Sequence, residues 1–387
     1  VVPRLGVDAA DAAPLPRGAP PPPMPLIAAA LSSRPHAAGV PRGALAGLLR
    51  LPLVGRESTQ RGLWSALTGV ARTGRASAII LEGAAGVGKS RLAEWLSERA
   101  HELGAAEVMR LLHGDVPGAE DGILAAFTRQ FACRGLDAAG AERRLARALP
   151  TLDRRDRAQF AELLGTQGLA NAGGTQARFR LLERALAAMT RDRPIILWCD
   201  DGARSADTLG LVHDLLTHGR HIPLLAVLTA RTNEPRTSDE AAVLDAIAEH
   251  PRGRRIALGA LEAADAIALV QSMVPVADEL AERIARACAC HPILIEQTVR
   301  DWVVRGLTHT APTNAALPAD PDAVWAARLR TVVDAHGPQS QAALELAAAL
   351  GETVDGEEWT AACTAAGISS VAALVDDLVR RGLARPD

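Results

Sequence analysis

The sequence predicts an α/β protein with a five-stranded, mostly parallel sheet, followed by two helical domains. Short apolar runs alternate with amphipathic stretches between residues 51 and 261, as in parallel strands joined by crossover helices. A glycine-rich octapeptide separates the first strand from the helix that follows, and a later strand ends in two acidic residues. After residue 261 helical patterns continue, whereas the strand signal fades.

The strands are predicted where apolar runs are too short to be amphipathic helices. Leu63, Leu67 and Val70 recur at helical spacing before the first strand. A helical stretch at about 119–190, broken at 165–176, separates the second strand from the third. Three helices and then about four shorter ones follow the last strand. The predicted strands cover 77–82, 106–115, 194–201, 222–231 and 254–261.

The octapeptide GAAGVGKS contains Lys89, the only lysine in the chain. It matches G-x-x-x-x-G-K-[ST] between a buried strand and a helix, the context of a phosphate-binding P-loop. Its glycines allow backbone N–H groups to surround phosphate oxygens, and the lysine reaches the β- and γ-phosphates as a compact charge that arginine does not replace. The predicted nucleotide-binding residues here are Gly83, Ala84, Ala85, Gly86, Val87, Gly88, Lys89, Ser90 and Arg91.

Acidic residues at the end of the third strand complete the predicted site. Asp200 and Asp201 follow the apolar run 195–199. Asp200 is predicted to hold Mg²⁺ together with the Ser90 hydroxyl, and Asp201 is predicted to act as general base on the attacking water. Arg231 ends the fourth strand, where it either senses the γ-phosphate or is an ordinary surface arginine. His113, near the end of the second strand, is predicted to be structural.

Composition restricts the class of protein. The net charge of −3 and the pI near 6.4 give no overall signature of nucleic-acid binding. No apolar run reaches the roughly 18 residues of a membrane span, and no secretory signal is recognised at the first residues. Five scattered cysteines indicate reduced thiols. We therefore expect a cytoplasmic location.

Four segments are predicted. Residues 1–50 are rich in proline and alanine and are expected to be disordered. Residues 51–261 form the nucleotide-binding domain, 262–318 a helical lid domain with a linker, and 319–387 a winged-helix-like domain.

Taken together, these motifs resemble the STAND class of AAA+-related signal-transduction ATPases, in particular the ATPase region of large LuxR-type ATP-binding bacterial transcriptional regulators. The resemblance covers about residues 51–387 and includes VGRE (54–57), GAAGVGKS, IILWCDDGARSAD, VLTAR and HPILIEQTVRDW (291–302). It implies that Arg56 and Glu57 lie near the adenine, that Pro292 contacts the base, and that Arg231 belongs to a sensor strand. Val54 and Arg56 of the same motif are accordingly predicted to bind nucleotide. It also implies that the last domain serves nucleotide-dependent autoinhibition.

The chain departs from this pattern at two points. Residues 202–205 replace Leu-His-Trp after the two acids, and residues 288–291 replace Gly-Asn before Pro292. The first change affects the predicted water site, so slow or absent hydrolysis is expected. The helical repeats and helix-turn-helix of the family are not recognised, so DNA is expected to be contacted only through a domain outside this chain.

The leading hypothesis is therefore a switch that binds ATP or ADP with Mg²⁺ and controls assembly or transcription through the packing of the lid and winged-helix domains. Its expected partners are nucleotide, a second copy in the ATP state, and an unidentified signalling ligand or protein, with no membrane. The alternatives are a nucleotide-binding scaffold without turnover and a P-loop kinase for small molecules.

Overall fold

The computed structural model describes residues 52–114, 121–165, 174–219, 221–232, 234–304, 321–351, 354–368, 372–381 and 383–384. The predicted disordered segment 1–50 lies outside these ranges. The described residues divide into two compact units. The first unit contains Ser58–Gly83 and Lys89–Ala257, and the second contains 52–57, Ala84–Gly88 and the described residues from Leu258 onward. The four segments predicted from the sequence stay a prediction.

The described residues include a five-stranded sheet with strand order β2-β3-β4-β1-β5. The pairs β1–β4, β3–β4 and β2–β3 are parallel, so the predicted α/β fold is confirmed. β4 lies between β1 and β3, which are its two partners. The strands are β1 (Ser77–Gly83), β2 (Glu107–Leu111), β3 (Ile195–Cys199), β4 (Leu224–Arg231) and β5 (Gly253–Leu258).

β2 and β3 end earlier than predicted, as does β5, which ends at Leu258 instead of residue 261. β2 ends at Leu111 instead of residue 115; just beyond it, the Leu112 carbonyl accepts a hydrogen bond from the Gly122 N–H. β3 ends at Cys199, because Asp201 has a left-handed backbone with φ of 47°, which an extended strand does not accommodate. The early ends of β2 and β3 position side chains of the site described below.

Along the chain of the first unit, helices precede, separate and follow the strands. Ile195–Cys199 is buried along its whole length, as expected for a parallel strand covered on both faces. In the long insertion between β2 and β3, the Phe127 and Phe160 rings pack edge to face, 5.1 Å apart. The helices are α1 (Glu57–Thr73), α2 (Lys89–Glu102), α3 (Gly122–Gln130), α4 (Ala138–Ala148), α5 (Arg154–Leu164), α6 (Thr175–Met189), α7 (Ala206–Thr217) and α8 (Ser238–Glu249).

The second unit contains two hydrophobic clusters. In the first, Ala266, Ala281 and Ile295 are buried against one another. In the second, the Trp359 indole N–H donates to the Ala343 carbonyl at 2.8 Å beside Val332. The helices are α9 (Ala263–Met273), α10 (Asp278–Ala287), α11 (Pro292–Val304), α12 (Pro321–His336), α13 (Pro338–Leu350), α14 (Gly356–Ala365) and α15 (Ala372–Arg380). The winged-helix-like character of the last four stays a prediction.

No helix within the described ranges has both the length and the hydropathy needed to cross a membrane.

A capping box at the start of α8 provides a stability test. The Thr237 hydroxyl accepts from the Glu240 N–H, and the Glu240 carboxylate accepts from the Thr237 N–H. We expect Thr237→Ala to lower the free energy of unfolding by about 1 kcal/mol, measured by urea denaturation. The matched control is Ser238→Ala, because the Ser238 hydroxyl makes only a 3.4 Å contact with Asp239. Equal losses in the two variants would contradict the capping assignment.

Candidate functional site

The parallel register brings the ends of three strands to one edge of the sheet. Gly83 at the end of β1 is aligned with Arg231 at the end of β4. Cys199, the last residue of β3, is aligned with Leu228 in the same strand β4. Asp200 follows Cys199 directly, and its N–H donates to the Leu111 carbonyl at 2.9 Å. Because side chains at the carboxyl edge of a parallel sheet are where such folds bind ligands, this edge is the candidate site.

The Asp200 carboxylate lies at the centre of a hydrogen-bonded group. Its Oδ1 accepts from the Ser90 hydroxyl at 2.7 Å and from the Thr229 hydroxyl at 3.1 Å. Its Oδ2 accepts from the Arg110 guanidinium at 2.7 Å. The sequence-predicted magnesium pair, Ser90 and Asp200, is therefore in direct contact.

Lys89 begins α2 and its side chain is buried. The Nζ donates to the Gly83 carbonyl at 3.0 Å, which spans the loop from its last residue back to its first. Desolvation by burial lowers the pKa of Lys89, and the nearby Asp201 and Asp200 carboxylates oppose that shift. The ammonium is thus held at the helix N-terminus, where anions are favoured.

Asp201 and Arg231 contact each other. The Arg231 Nη2 donates to Asp201 Oδ2 at 2.9 Å. The Asp201 N–H donates to the Thr229 hydroxyl at 2.7 Å, which in turn donates to Asp200. A non-glycine residue in the left-handed region costs free energy, and these two contacts hold Asp201 there. The predicted base and the predicted sensor arginine therefore form an ion pair.

The turn that follows depends on glycine. A Cβ on Gly202 would lie 2.6 Å from the Cys199 Cβ. Any residue larger than glycine would therefore clash directly after the two acids. Gly202–Arg204 form a short 3₁₀ turn, and the Ser205 hydroxyl accepts from the Thr208 N–H at the start of α7. The departure from Leu-His-Trp in this sequence thus gives a compact turn into a capped helix.

The phosphate-loop residues of the second unit have the backbone that such a loop requires. Gly86 and Gly88 have φ of 76° and 101°, values that favour glycine over other residues. Ala84 and Ala85 are exposed, whereas Val87 is buried. A Cβ on Gly86 would clash with the Ile293 side chain. Both the φ angle and this close approach therefore exclude a larger residue at position 86.

Of the remaining predicted binding residues of the second unit, Arg56 contacts that loop. The Arg56 guanidinium donates to the Val87 carbonyl at 3.3 Å and to the Gly259 carbonyl at 2.5 Å. Desolvation by burial lowers the pKa of Arg56, and Asp265 opposes the shift. Val54 packs against the first hydrophobic cluster of this unit. Pro292 is the first residue of α11, a position that suits its fixed φ and missing N–H.

Arg91 differs from the other predicted loop residues. Its guanidinium pairs with Glu94 one turn later in α2, at 2.6 Å. This is an i, i+3 pair on the surface of a helix. A role of Arg91 in nucleotide binding stays a prediction.

Three partners of the acids were not identified as site residues in the sequence: Arg110, which is described above, Thr229 and His113. Thr229 is fully buried in β4, and a polar residue inside an apolar strand is the signal that indicates it. His113 was predicted to be structural; its Nδ1 lies 2.8 Å from the Asp200 carbonyl and its Nε2 lies 2.9 Å from the Thr208 hydroxyl. Because a carbonyl only accepts, Nδ1 carries the proton and Nε2 accepts from Thr208. Burial lowers the pKa of His113, which keeps the ring neutral.

The site fits a magnesium ion that is shared with a phosphate ligand. Ser90 and Asp200 supply a hydroxyl and a carboxylate, oxygen donors of the kind that Mg²⁺ prefers. Within the described ranges, no group of three or more His, Cys, Asp or Glu side chains could hold a metal by itself. Mg²⁺ is commonly bound by one or two protein oxygens together with substrate phosphates and water, and the pair has that composition.

His113 predicts an acid-sensitive stability. Its pKa in the folded protein lies below the ordinary value of 6.5, so the unfolded chain binds the proton more readily as the pH falls below that value. The free energy of unfolding is therefore expected to fall as the pH decreases through this window. His113→Gln should make the fall shallower, measured by urea denaturation between about pH 8 and pH 5. His101→Gln, which changes an exposed histidine in α2, is the control and should not flatten the curve. An unchanged slope in His113→Gln would contradict the assignment.

One family model matches this chain, and several solved structures are distantly similar to it. Residues 52–228 match the family model described as the AAA ATPase domain, and no curated protein matches the sequence. Solved structures with similar architecture include the Aeropyrum pernix Orc1 protein in complex with DNA, with 14% identity, coverage of 88% of this chain and 87% of that chain, and a TM-score of 0.39. Domain III of the Thermotoga maritima replication initiation protein DnaA has 11% identity, coverage of 70% and 92%, and a TM-score of 0.36.

The Drosophila ORC bound to DNA has 13% identity, coverage of 92% of this chain and 89% of that chain, and a TM-score of 0.39. At these TM-scores the likenesses carry no argument about what this chain binds. The family match covers the phosphate loop, both acids and most of β4. Residues 52–228 of this chain are therefore similar to an AAA ATPase domain, and the sheet with its phosphate loop has the P-loop NTPase fold.

Proposed function

We propose that the protein is an ATP-binding, slowly hydrolysing molecular switch. The observation that carries the proposal is the 2.7 Å contact between Ser90 of the G-x-x-x-x-G-K-S loop and Asp200 at the end of β3. A hydroxyl directly after the loop lysine and a carboxylate at the end of a neighbouring strand are what Mg²⁺–nucleotide requires of a P-loop protein. The AAA ATPase family match supports the same class.

Each residue has a defined task in this proposal. The N–H groups of the loop bind phosphate oxygens, and Lys89 supplies a positive charge at the β- and γ-phosphates. Ser90 and Asp200 hold Mg²⁺, which when bound neutralises phosphate charge. Asp201 accepts the proton of the attacking water at its carboxylate, and Arg231 stabilises charge that develops on the γ-phosphate.

The ion pair between Asp201 and Arg231 supports slow turnover. A carboxylate oxygen that accepts a hydrogen bond from a guanidinium is not available to accept one from water. The pair occupies both groups at 2.9 Å. Turnover then requires a rearrangement in which Arg231 turns toward phosphate and releases Asp201. The same observation favours the second candidate, a nucleotide-binding scaffold without turnover.

The regulatory part of the proposal depends on the resemblance of the motifs to the LuxR-type ATP-binding regulators. Nucleotide would change the packing of the helices after residue 261, and the ATP form would associate with a second copy. ADP retained by the purified protein, and a larger assembly by size-exclusion chromatography with a non-hydrolysable ATP analogue than with ADP, would support this role. The same size in both nucleotides would exclude it.

Lys89→Ala tests nucleotide binding. Loss of a buried, charge-assisted contact to phosphate is expected to weaken ATP affinity by about 100-fold or more, measured by isothermal titration calorimetry. Arg99→Ala is the matched control: it removes a basic side chain from the last turn of the same helix, where Arg99 pairs with Glu102 at 2.8 Å. An unchanged ATP affinity in Lys89→Ala would contradict the proposed function.

Asp201→Asn separates the two candidate functions. If Asp201 is the base, the variant should retain ATP binding and lose about 100-fold or more of the rate of phosphate release. Asp207→Asn makes the same chemical change at a carboxylate that pairs with Arg178 at 2.6 Å, and it should retain the rate. A wild-type protein that binds ATP without releasing phosphate would establish the scaffold. Turnover that persists in Asp201→Asn would show that another group is the base.

A further inference from the structure

Arg110 occupies the side of the Asp200 carboxylate that the two hydroxyls leave available. It lies in β2 and is aligned with Trp198 in β3. Its Nη2 donates to Asp200 Oδ2 at 2.7 Å, whereas Ser90 and Thr229 both donate to Oδ1. The carboxylate thus has a hydroxyl side and a cationic side.

The indole of Trp198 holds the Arg110 guanidinium in place. The guanidinium carbon lies 4.3 Å from the centroid of the Trp198 ring, well within the range of a cation–π contact. Trp198 is itself buried, with 7% of its surface exposed. The stacking already restricts the guanidinium beside Asp200. Forming the ion pair therefore costs less side-chain conformational entropy than it does for two unrestricted surface side chains.

The pair matters because Asp200 is poorly solvated. Its side chain is only 16% exposed, and a carboxylate removed from water needs a compensating partner. Arg110 provides a permanent positive charge, since a guanidinium does not lose its proton in proteins. Mg²⁺ needs the same carboxylate, where Ser90 binds Oδ1 and Arg110 binds Oδ2, so the two positive charges repel each other and compete for the negative charge of Asp200.

We propose that Arg110 is an internal counter-ion of Asp200 that competes with Mg²⁺ and sets the magnesium concentration at which the nucleotide site is loaded. This inference rests on the proposed function, because it concerns the same metal–nucleotide site. When Asp200 is paired with Arg110 for part of the time, the apparent magnesium affinity equals the intrinsic affinity multiplied by the fraction of Asp200 that is unpaired. The arginine is a regulatory group: it stabilises the metal-free site and weakens metal binding.

The competing interpretation is that Arg110 binds a phosphate of the nucleotide. A guanidinium is well suited to phosphate, and the Arg110 side chain is 40% exposed. The two interpretations predict opposite results when the charge is removed. As a counter-ion, Arg110 opposes magnesium loading; as a phosphate ligand, it assists nucleotide binding.

The test is a magnesium titration of ADP binding, followed by calorimetry, in wild type, Arg110→Gln and Arg110→Lys. Loss of the charge should lower the magnesium concentration for half-maximal binding about two- to fivefold, the range expected for a partly exposed ion pair. ADP binding in excess EDTA should not change. Arg110→Lys retains the charge and should lie closer to wild type than Arg110→Gln. A thermal melt of each variant without magnesium verifies that it is folded.

Arg178→Gln is the matched control. Arg178 also pairs with a carboxylate, that of Asp207 at 2.6 Å, and lies over an aromatic ring, that of Phe179 at 5.8 Å. Its carboxylate is not the predicted metal ligand, so the magnesium requirement should be that of wild type.

A second readout uses the indole. Magnesium added to the ADP complex should change the tryptophan fluorescence of wild type, because the cation over Trp198 moves, and the change should be lost in Trp198→Phe. An unchanged or raised magnesium requirement in Arg110→Gln, or weaker ADP binding in EDTA, would overturn the inference. Failure of wild type to bind ADP at any magnesium concentration would instead overturn the proposed function.

Discussion

The hydrogen bonds to the Asp200 carboxylate are the interactions on which the rest of the site depends. They join residues from four elements: Ser90 of α2, Arg110 of β2, Thr229 of β4 and Asp200 itself at the end of β3. The pairing of the strands does not tolerate a shift of one residue, because such a shift would turn each side chain to the other face of the sheet. The positions of Ser90, Arg110 and Thr229 around Asp200 are therefore set by the packing of these elements within the first unit.

Strand order explains why the two acids behave differently. β4 lies between β1 and β3, so Thr229 and Arg231 each reach the residues that follow β3. Thr229 binds the Asp200 side chain and the Asp201 backbone, and Arg231 binds the Asp201 side chain. Asp200 is consequently held toward Ser90, whereas Asp201 is held toward Arg231. This difference supports the proposal that Asp200 holds a metal ion, and that Asp201 accepts a proton only after Arg231 releases it.

Positive charge surrounds this edge of the sheet before any ligand binds. Lys89, Arg110 and Arg231 all contribute, and each has an acceptor in the first unit: the Gly83 carbonyl, Asp200 and Asp201. These contacts compensate charges that are partly removed from water. A phosphate ligand with Mg²⁺ would exchange such internal pairs for new ones, so its affinity depends on the difference between the two sets of pairs.

The sequence by itself determined that Gly83, Ser90, Asp200 and Arg231 lie at the ends of elements. The apolar runs before Gly83, Asp200 and Arg231 are typical of strands, and GAAGVGKS between a strand and a helix indicates a phosphate loop. It also predicted five strands and the succession of helices after residue 261. Only the tertiary structure decided that β4 lies beside both β1 and β3, that β2 ends early, and that Arg110, His113 and Thr229 meet Asp200. The physical reason is that pattern and propensity act over a few residues, whereas these three partners are respectively 90, 87 and 29 residues from Asp200. They are brought to it by the packing of whole strands.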